Sequence, residues 1–351
     1  MKAIDSRSKT SGQKPRLSLI ACSRNDQWQG NCLWRLETTI NYTALQAAKL
    51  GRLNDIEIII CDWGSNESLR DAVKLIPEAM QVVRYLNIPL ALAKEKQKDS
   101  PFAEVFALNA AARRSRGEYI GRIDQDTLVG RYFFEWFFAA TESRNTSFAI
   151  ESTAMISNRR RIPYDFAVRC PPFVIVEKYL NLFHRRLPRM PQRSAERYWE
   201  VYIGILLMHR KLWEAAGGYD ETLIYSGFME FDFFLRLLQR FAGFDISTVV
   251  GYNFYHLDHV KKWLVWEDNK RPLNLERTPE NPPLEFRPNG DGWGLADYDI
   301  PLLGPPPGAL LTDSEIKWRL SMLPELVWYG LDSTIKTLYR VRQSRGHRQE
   351  P

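Results

Sequence analysis

The chain has 351 residues, 44% of them hydrophobic and 26% charged, with a formal net charge of +6. Such a length buries a sizeable core, as one large domain with an appendage or as two domains, and the mild positive charge does not argue nucleic-acid binding. Cys22, Cys32, Cys61 and Cys170 form no CxxC pair and no regular spacing, which argues against a disulfide framework and a structural zinc site. Residues 1–16 are polar and no apolar run approaches the roughly 18 residues of a membrane span, so a cytosolic protein is expected.

In chain order, Leu17–Cys22 reads as a buried strand leading into the polar turn Ser23-Arg24-Asn25-Asp26. Leu33, Leu36, Ile40, Ala44 and Ala47 recur at helical spacing and predict an amphipathic helix over 29–50. Ile56–Cys61 is a second buried strand, ending at Asp62-Trp63-Gly64-Ser65; Leu69, Ala72, Val73 and Ile76 mark a helix, and Val82–Tyr85 a weaker strand. Phe102–Arg116 predicts a helix closed by Gly117 at a C′ position, followed by the strand Glu118–Ile123 and then Asp124-Gln125-Asp126. Strand alternating with helix implies an α/β fold, with a mostly parallel sheet flanked by helices. Ligands of such sheets lie at the carboxyl ends of the strands, and all three polar clusters fall there.

Past the strand Phe148–Ile156 the pattern is irregular, with nine arginines between Arg159 and Arg197. Regularity returns with the strand Val201–Met208, the helices Arg210–Ala216 and Phe231–Phe241, and strands within Ser247–His256. From Pro272 to Pro307 the chain is rich in Pro, Gly and Asn and reads as an ordered wrap or linker; a basic helix over Ser314–Arg342 follows.

Three constellations carry chemistry. In an extended segment alternate side chains share a face, so Asp124 and Asp126 can close on one hard cation that neutralises a departing pyrophosphate, though such pairs are also common as solvated turn residues. Asp62 can accept a hydrogen bond from a nucleobase, the reading favoured here, or cap a helix through the turn at Gly64 and Ser65. Gly217-Gly218-Tyr219-Asp220-Glu221 and Gly227-Phe228-Met229-Glu230-Phe231-Asp232 place tight turns before a helix start, where Glu230 and Asp232 suit either a general base or an N-terminal acidic pair.

Together these stretches resemble glycosyltransferase family 2 of the GT-A fold. Leu17–Asp26 is similar to the family's opening strand and nucleotide loop, Ile56–Ser65 to its second strand, Asn109–Asp126 to its asparagine, helix, strand and DxD, and Gly217–Glu221 with Gly227–Arg236 to its acceptor loop and acidic helix start. The resemblance implies that Ala21, Ser23, Arg24, Asn25, Asp62, Asn109, Asp124, Gln125 and Asp126 bind the nucleotide sugar, and that Gly217, Gly218 and Gly227 shape the acceptor and donor loop. It implies metal ligation by Asp124, Asp126 and His256, with Mn2+ or Mg2+ as cofactor, and an inverting transfer with Glu230 as base and Asp232 as its helper. A hexosyl or N-acetylhexosaminyl group would pass from a nucleotide-diphosphate sugar, a UDP-sugar on this reading, to a hydroxyl of a glycan or lipid-linked acceptor in polysaccharide or glycoconjugate assembly.

The family often has two acids where this chain has Asp62-Trp63, Ala21 replaces a frequent proline, and a usual Glu-Asp pair stands here as Met229-Glu230. A slip of one residue would exchange Glu230 and Asp232, and His259 competes with His256 as the metal-binding histidine. On this reading residues 1–15 are a disordered segment and 16–262 the transferase domain. Within it, 16–130 is the nucleotide half and 131–262 the acceptor half, carrying an Arg-rich insertion over 158–199; residues 263–351 are a wrap and basic helix. The arginines could grip an acidic sugar, a lipid-linked diphosphate or the inner face of a membrane, or form a solvated face. Two other readings compete: a non-catalytic nucleotide-sugar or polysaccharide-binding module, and a sugar nucleotidyltransferase, whose usual glycine-rich loop is missing after the first strand.

Overall fold

The computed structural model describes residues 14–26, 30–143, 149–190, 203–259, 274, 276, 281–282 and 285–312. The expected N-terminal segment before residue 14, the helix over 314–342 and the basic tail lie outside the described residues.

The chain is α/β, with a mostly parallel central sheet flanked by helices. Strands β1 (Leu17–Ser23), β2 (Ile56–Trp63), β3 (Val83–Ile88) and β4 (Tyr119–Arg122) lie in the order β3-β2-β1-β4, all parallel. β2 is buried along its whole length, as its continuous apolar run requires of a strand covered on both faces. In the second half, β5 (Thr127–Val129), β6 (Thr153–Asn158), β7 (Arg160–Ile162), β8 (Ile203–His209), β9 (Ala242–Asp245) and β10 (Phe254–Leu257) complete the core strands. β8 pairs antiparallel with both β4 and β6, and β9 extends the edge beyond β6. β11 (Leu302–Leu303) closes the opposite edge, antiparallel to β3. Apart from this eight-stranded sheet, β5, β10 and β7 form a small three-stranded sheet.

Side chains alternate across the sheet and so divide the core in two. Leu17, Leu19, Ile58 and Ile60 pack under α1 (Cys32–Lys49), α3 (Pro77–Val82) and α6 (Arg131–Glu142). Ile20, Ile59 and Cys61 pack under α5 (Glu104–Arg114), α9 (Arg210–Ala216) and α10 (Met229–Leu238). The short helices α2 (Leu69–Ala72) and α4 (Leu90–Gln97) follow β2 and β3. The irregular Arg-rich stretch contains β7 and two helices, α7 (Tyr164–Ala167) and α8 (Phe173–Phe183). Tyr179 and Phe166 stack there, and both pack in a third apolar cluster with Tyr42 and Tyr255.

Three predicted elements differ in ways the packing explains. The helix expected through Ile76 stops at Ala72, because Ile76 precedes Pro77 and Leu75 leaves the helix to bridge Leu310. Gly117 is not the C′ residue of α5, which ends at Arg114. Its lack of a side chain serves a close approach instead: a Cβ there would meet the Ser18 nitrogen at 2.5 Å. Of the strands expected within Ser247–His256 only β10 forms, since residues 248–252 turn back on themselves through Val250–Ile246 and Tyr252–Ser247 backbone bonds.

Residues 285–312 wrap back over the first half. Arg114 donates to the carbonyl oxygens of Gly294, Leu295, Tyr298 and Ile300 at 2.7–3.0 Å, and Arg113 lies 4.3 Å over the Trp293 ring. Replacing Arg114 by Met removes the donors of four carbonyls. Limited proteolysis should then cut within 294–300 at least tenfold faster, and the melting temperature should fall by an amount corresponding to about 2–3 kcal/mol.

Candidate active site

The parallel pairing sets three polar clusters side by side. Ser23, the last residue of β1, lies opposite Asp62 of β2, and Arg122, the last residue of β4, lies opposite Ile20. Asp124 and Asp126 therefore emerge beside Ser23 on one edge of the sheet. Ser23 Oγ donates to Gln125 Oε1, and the Asn25 nitrogen donates to Ser65 Oγ at 2.8 Å, which stitches the turns after β1, β2 and β4 together. Arg24 pairs with Asp26 at 2.8 Å and lies over the Phe102 ring. Ala21 packs into the core below the edge.

Asp62 is buried and accepts from the Leu69 nitrogen at 2.9 Å and from the backbone and hydroxyl of Ser65. Burial pushes its carboxyl above the ordinary value, against the lowering effect of these bonds. Its acceptors thus order the loop that leads into α2.

Asp126 sits at the junction of four segments. Arg35, buried in the first turn of α1, donates to its Oδ2 at 2.5 Å, His256 Nδ1 lies 3.0 Å from its Oδ1, and His259 Nε2 lies 3.5 Å from Oδ2. The small sheet produces this meeting: His256 of β10 pairs with Thr127 of β5, and the Leu257 nitrogen donates to the Asp126 carbonyl at 3.0 Å. Burial would raise the Asp126 carboxyl, but His256, Arg35 and His259 together hold it well below its ordinary value. One ligand atom each from Asp126, His256 and His259 lies within 4.8 Å of the others. One carboxylate and two imidazoles form a donor set suited to a manganese-type divalent ion.

Asp124 is placed differently from its neighbour. Its Oδ1 is 2.8 Å from Arg122 Nη2, and its Oδ2 accepts from Arg159, which also reaches within 3.9 Å of Asp126. Sequence reasoning put Asp124, Asp126 and His256 together; the geometry groups Asp126 with both histidines and gives Asp124 to two arginines.

Arg122 is the second junction. Its Nη2 lies 2.8 Å from Glu104 of α5, 2.8 Å from Asp124 and 2.7 Å from Glu230 in the first turn of α10. Glu230 therefore reaches the Asp124 side of the site through a single nitrogen. Asp232 does not face it: fully buried, it pairs with Arg236 at 2.8 Å, and Arg236 in turn donates to the carbonyls of Ala216, Gly218 and Phe286. This pair anchors α10 to the glycine loop. Asn109 serves that loop as well, exchanging bonds with the Tyr219 backbone at 2.8 and 2.9 Å and reaching Glu221 at 3.0 Å. Gly218, at φ +71°, leaves no room for a Cβ against Asn109, and Gly217 at φ +67° ends α9. Gly227, at φ +77°, has open space around it just before α10.

Four residues of the site were not assigned from sequence, Arg35, Glu104, Arg122 and Arg159, and His259 was named only as a rival to His256. Arg122 carried a signal, since a charge within an apolar strand run directly before Asp124-x-Asp126 demands a buried partner. Arg35 and Glu104 carried none, because a single charge on an amphipathic helix reads as solvent-facing.

No protein-family model matches the chain, and no curated relative matches it. Among solved structures it is similar to TarS of S. aureus, at 10% identity and TM-score 0.41 over 72% of this chain and 38% of that one. It is similar to the catalytic domain of Drosophila beta1,4galactosyltransferase 7 in complex with xylobiose, at 11% identity and TM-score 0.41, covering 79% and 84%. A third is the mannosyltransferase PcManGT from Pyrobaculum calidifontis in complex with GDP-Man and Mn2+, at 14% identity and TM-score 0.42, covering 73% and 60%. The chain thus spans well under two thirds of the TarS chain it matches.

The two acids of α10 separate by experiment. Asp232→Ala leaves the Arg236 charge buried and unpaired, so chemical denaturation should show a loss of about 3–5 kcal/mol. Glu230→Ala, at a partly exposed position, should change stability by well under half of that.

Proposed function

We propose that this chain is a GT-A glycosyltransferase that moves a sugar from a nucleotide-diphosphate donor, a UDP-sugar in the first instance, to a hydroxyl of a glycan or lipid-linked acceptor with inversion. The observation that carries the reading is the connection of two unlike carboxylate centres across one edge of the sheet. Asp126 with two imidazoles forms a cation-binding end, and Glu230 at a helix start forms a proton-accepting end; Arg122, Asp124 and Arg159 link them. A reaction with a phosphate leaving group and a hydroxyl nucleophile draws on both.

Asp126, His256 and His259 would hold the divalent metal, manganese before magnesium, because imidazole nitrogen suits the former and magnesium prefers an all-oxygen shell. Bound there, it supplies positive charge to the departing diphosphate. Arg35 and Arg159 orient the Asp126 and Asp124 carboxylates. The turns bearing Ser23, Arg24 and Asn25 flank the place of the nucleotide. Glu230 removes the proton of the acceptor hydroxyl as its oxygen bonds to the anomeric carbon and the bond to the diphosphate oxygen breaks. Arg122 keeps the carboxylate aimed outward, and Asp232 holds the helix that carries it.

Two measurements test this. Glu230→Gln should bind nucleotide and Mn2+ as the wild type does in calorimetry while its transfer rate falls by about 10²- to 10⁴-fold; full activity refutes the base assignment. Replacing His256 and His259 together by Ala should weaken Mn2+ binding by at least 100-fold. An unchanged Mn2+ affinity removes them from the metal site.

A further inference from the structure

Arg122 lies beneath the proposed site, its side chain 4% exposed, and around its Nη2 the three carboxylates are used unequally. Asp124 has both oxygens engaged, one by Arg122 and one by Arg159. Glu104 and Glu230 each use only Oε1 on Arg122, and neither Oε2 has a partner among the described residues. Both side chains are open to solvent, Glu104 at 36% and Glu230 at 24%. Because their Oε1 atoms lie on one nitrogen, the two half-used carboxylates are close neighbours, although they come from α5 and α10.

A second observation at the same place is independent of the acids. The Tyr219 hydroxyl is fully buried, lacks a hydrogen-bond partner, and has Arg122, Glu230, Glu104 and Asp124 as its electrostatic neighbours; Arg122 Nε is likewise buried without a partner. Buried polar groups are almost always satisfied, so two unsatisfied donors among these carboxylates point to a polar ligand there.

We propose that Glu104 is an acceptor-binding residue, its free oxygen receiving the ring hydroxyl adjacent to the one that Glu230 deprotonates. This rests on the transferase reading and names the substrate class within it. Above about pH 7, where Glu104 ionises, both free oxygens only accept, so the ligand must donate, and two acceptors held side by side fit two donors on adjacent carbons, the vicinal diol of a pyranose. The bonds are charge-assisted and directional, which lets the pair select the acceptor's hydroxyl pattern. Glu104 makes no bond to the residues proposed to hold the metal, so its contribution belongs to the acceptor alone.

The test uses the full chain with Mn2+ and whichever of UDP-glucose, UDP-galactose or GDP-mannose raises its melting temperature. The acceptor probes are methyl β-D-glucopyranoside, -galactopyranoside and -mannopyranoside, with the monodeoxy analogues of the best one. In Glu104→Gln the acceptor KM should rise about 10- to 100-fold, while kcat stays within a few-fold and donor KM does not change. One deoxy analogue that costs the wild type about tenfold should cost the variant nothing further, as coupling between the two groups requires. An unchanged acceptor KM, or an equal deoxy penalty in both proteins, overturns the assignment; so does a selective loss of donor binding. Glu104→Asp, with a shorter reach, should fall between the two and covers the case in which the Gln variant does not fold. A wild type that releases no nucleotide from any of the donors defeats the transferase reading itself, whereas an active wild type matched by Glu104→Gln defeats only the role of Glu104.

Discussion

A carboxylate taken out of water must be met by positive charge, and Asp126 is the place where this requirement organises the molecule. Arg35 comes from α1, Arg159 from the approach to β7, and His256 and His259 from the end of β10. No two of these segments are neighbours in sequence, yet each must arrive within a few ångströms of one side chain. The three-stranded sheet delivers them: β5 follows Asp126 directly, β10 is registered on β5, and β7 on β10. Breaking any one of these contacts leaves charge buried, which is the costlier alternative.

The same rule divides the remaining acids into those that build and those that face outward. Asp232 and Arg236 pair with one another in full burial and, through Arg236, hold three carbonyls of the neighbouring segments. Asp62 is satisfied by its own loop. Glu104 and Glu230 are satisfied by half, each through one oxygen on a guanidinium shared with Asp124, and their side chains stay partly exposed. Burial also pushes the Glu104 carboxyl up to about 7, Arg122 opposing that rise and Glu230 and Asp124 adding to it. Acids of one chemical kind thus acquire different roles through their depth and the number of their partners, not through their position in a motif.

An arginine at the end of a buried strand makes this division possible. Arg122 occupies the last position of β4, where the sheet's edge opens, so its guanidinium can remain dry while the acids above it touch solvent. A lysine there could also offer one nitrogen to the three acids, but its ammonium is more strongly hydrated than a guanidinium and costs more to hold dry.

Much of the first half could be read from the chain directly. Continuous apolar runs such as Ile56–Cys61 mean doubly covered strands, helical spacing from Leu36 to Ala47 means an amphipathic helix, and their alternation means a parallel sheet with polar ends on one rim, because all three are local consequences of side-chain periodicity. Local pattern also pointed to Asp126, His256 and Glu230. What it left open was pairing: whether Asp232 or Glu230 is buried, whether Asp62 turns to its loop, and that Arg35, Glu104 and Arg122 belong to the site at all. Those outcomes are decided by which charges lie within hydrogen-bonding distance after folding, between residues as far apart in sequence as Arg35 and Asp126 or Glu104 and Glu230, and periodicity carries no information about such distances.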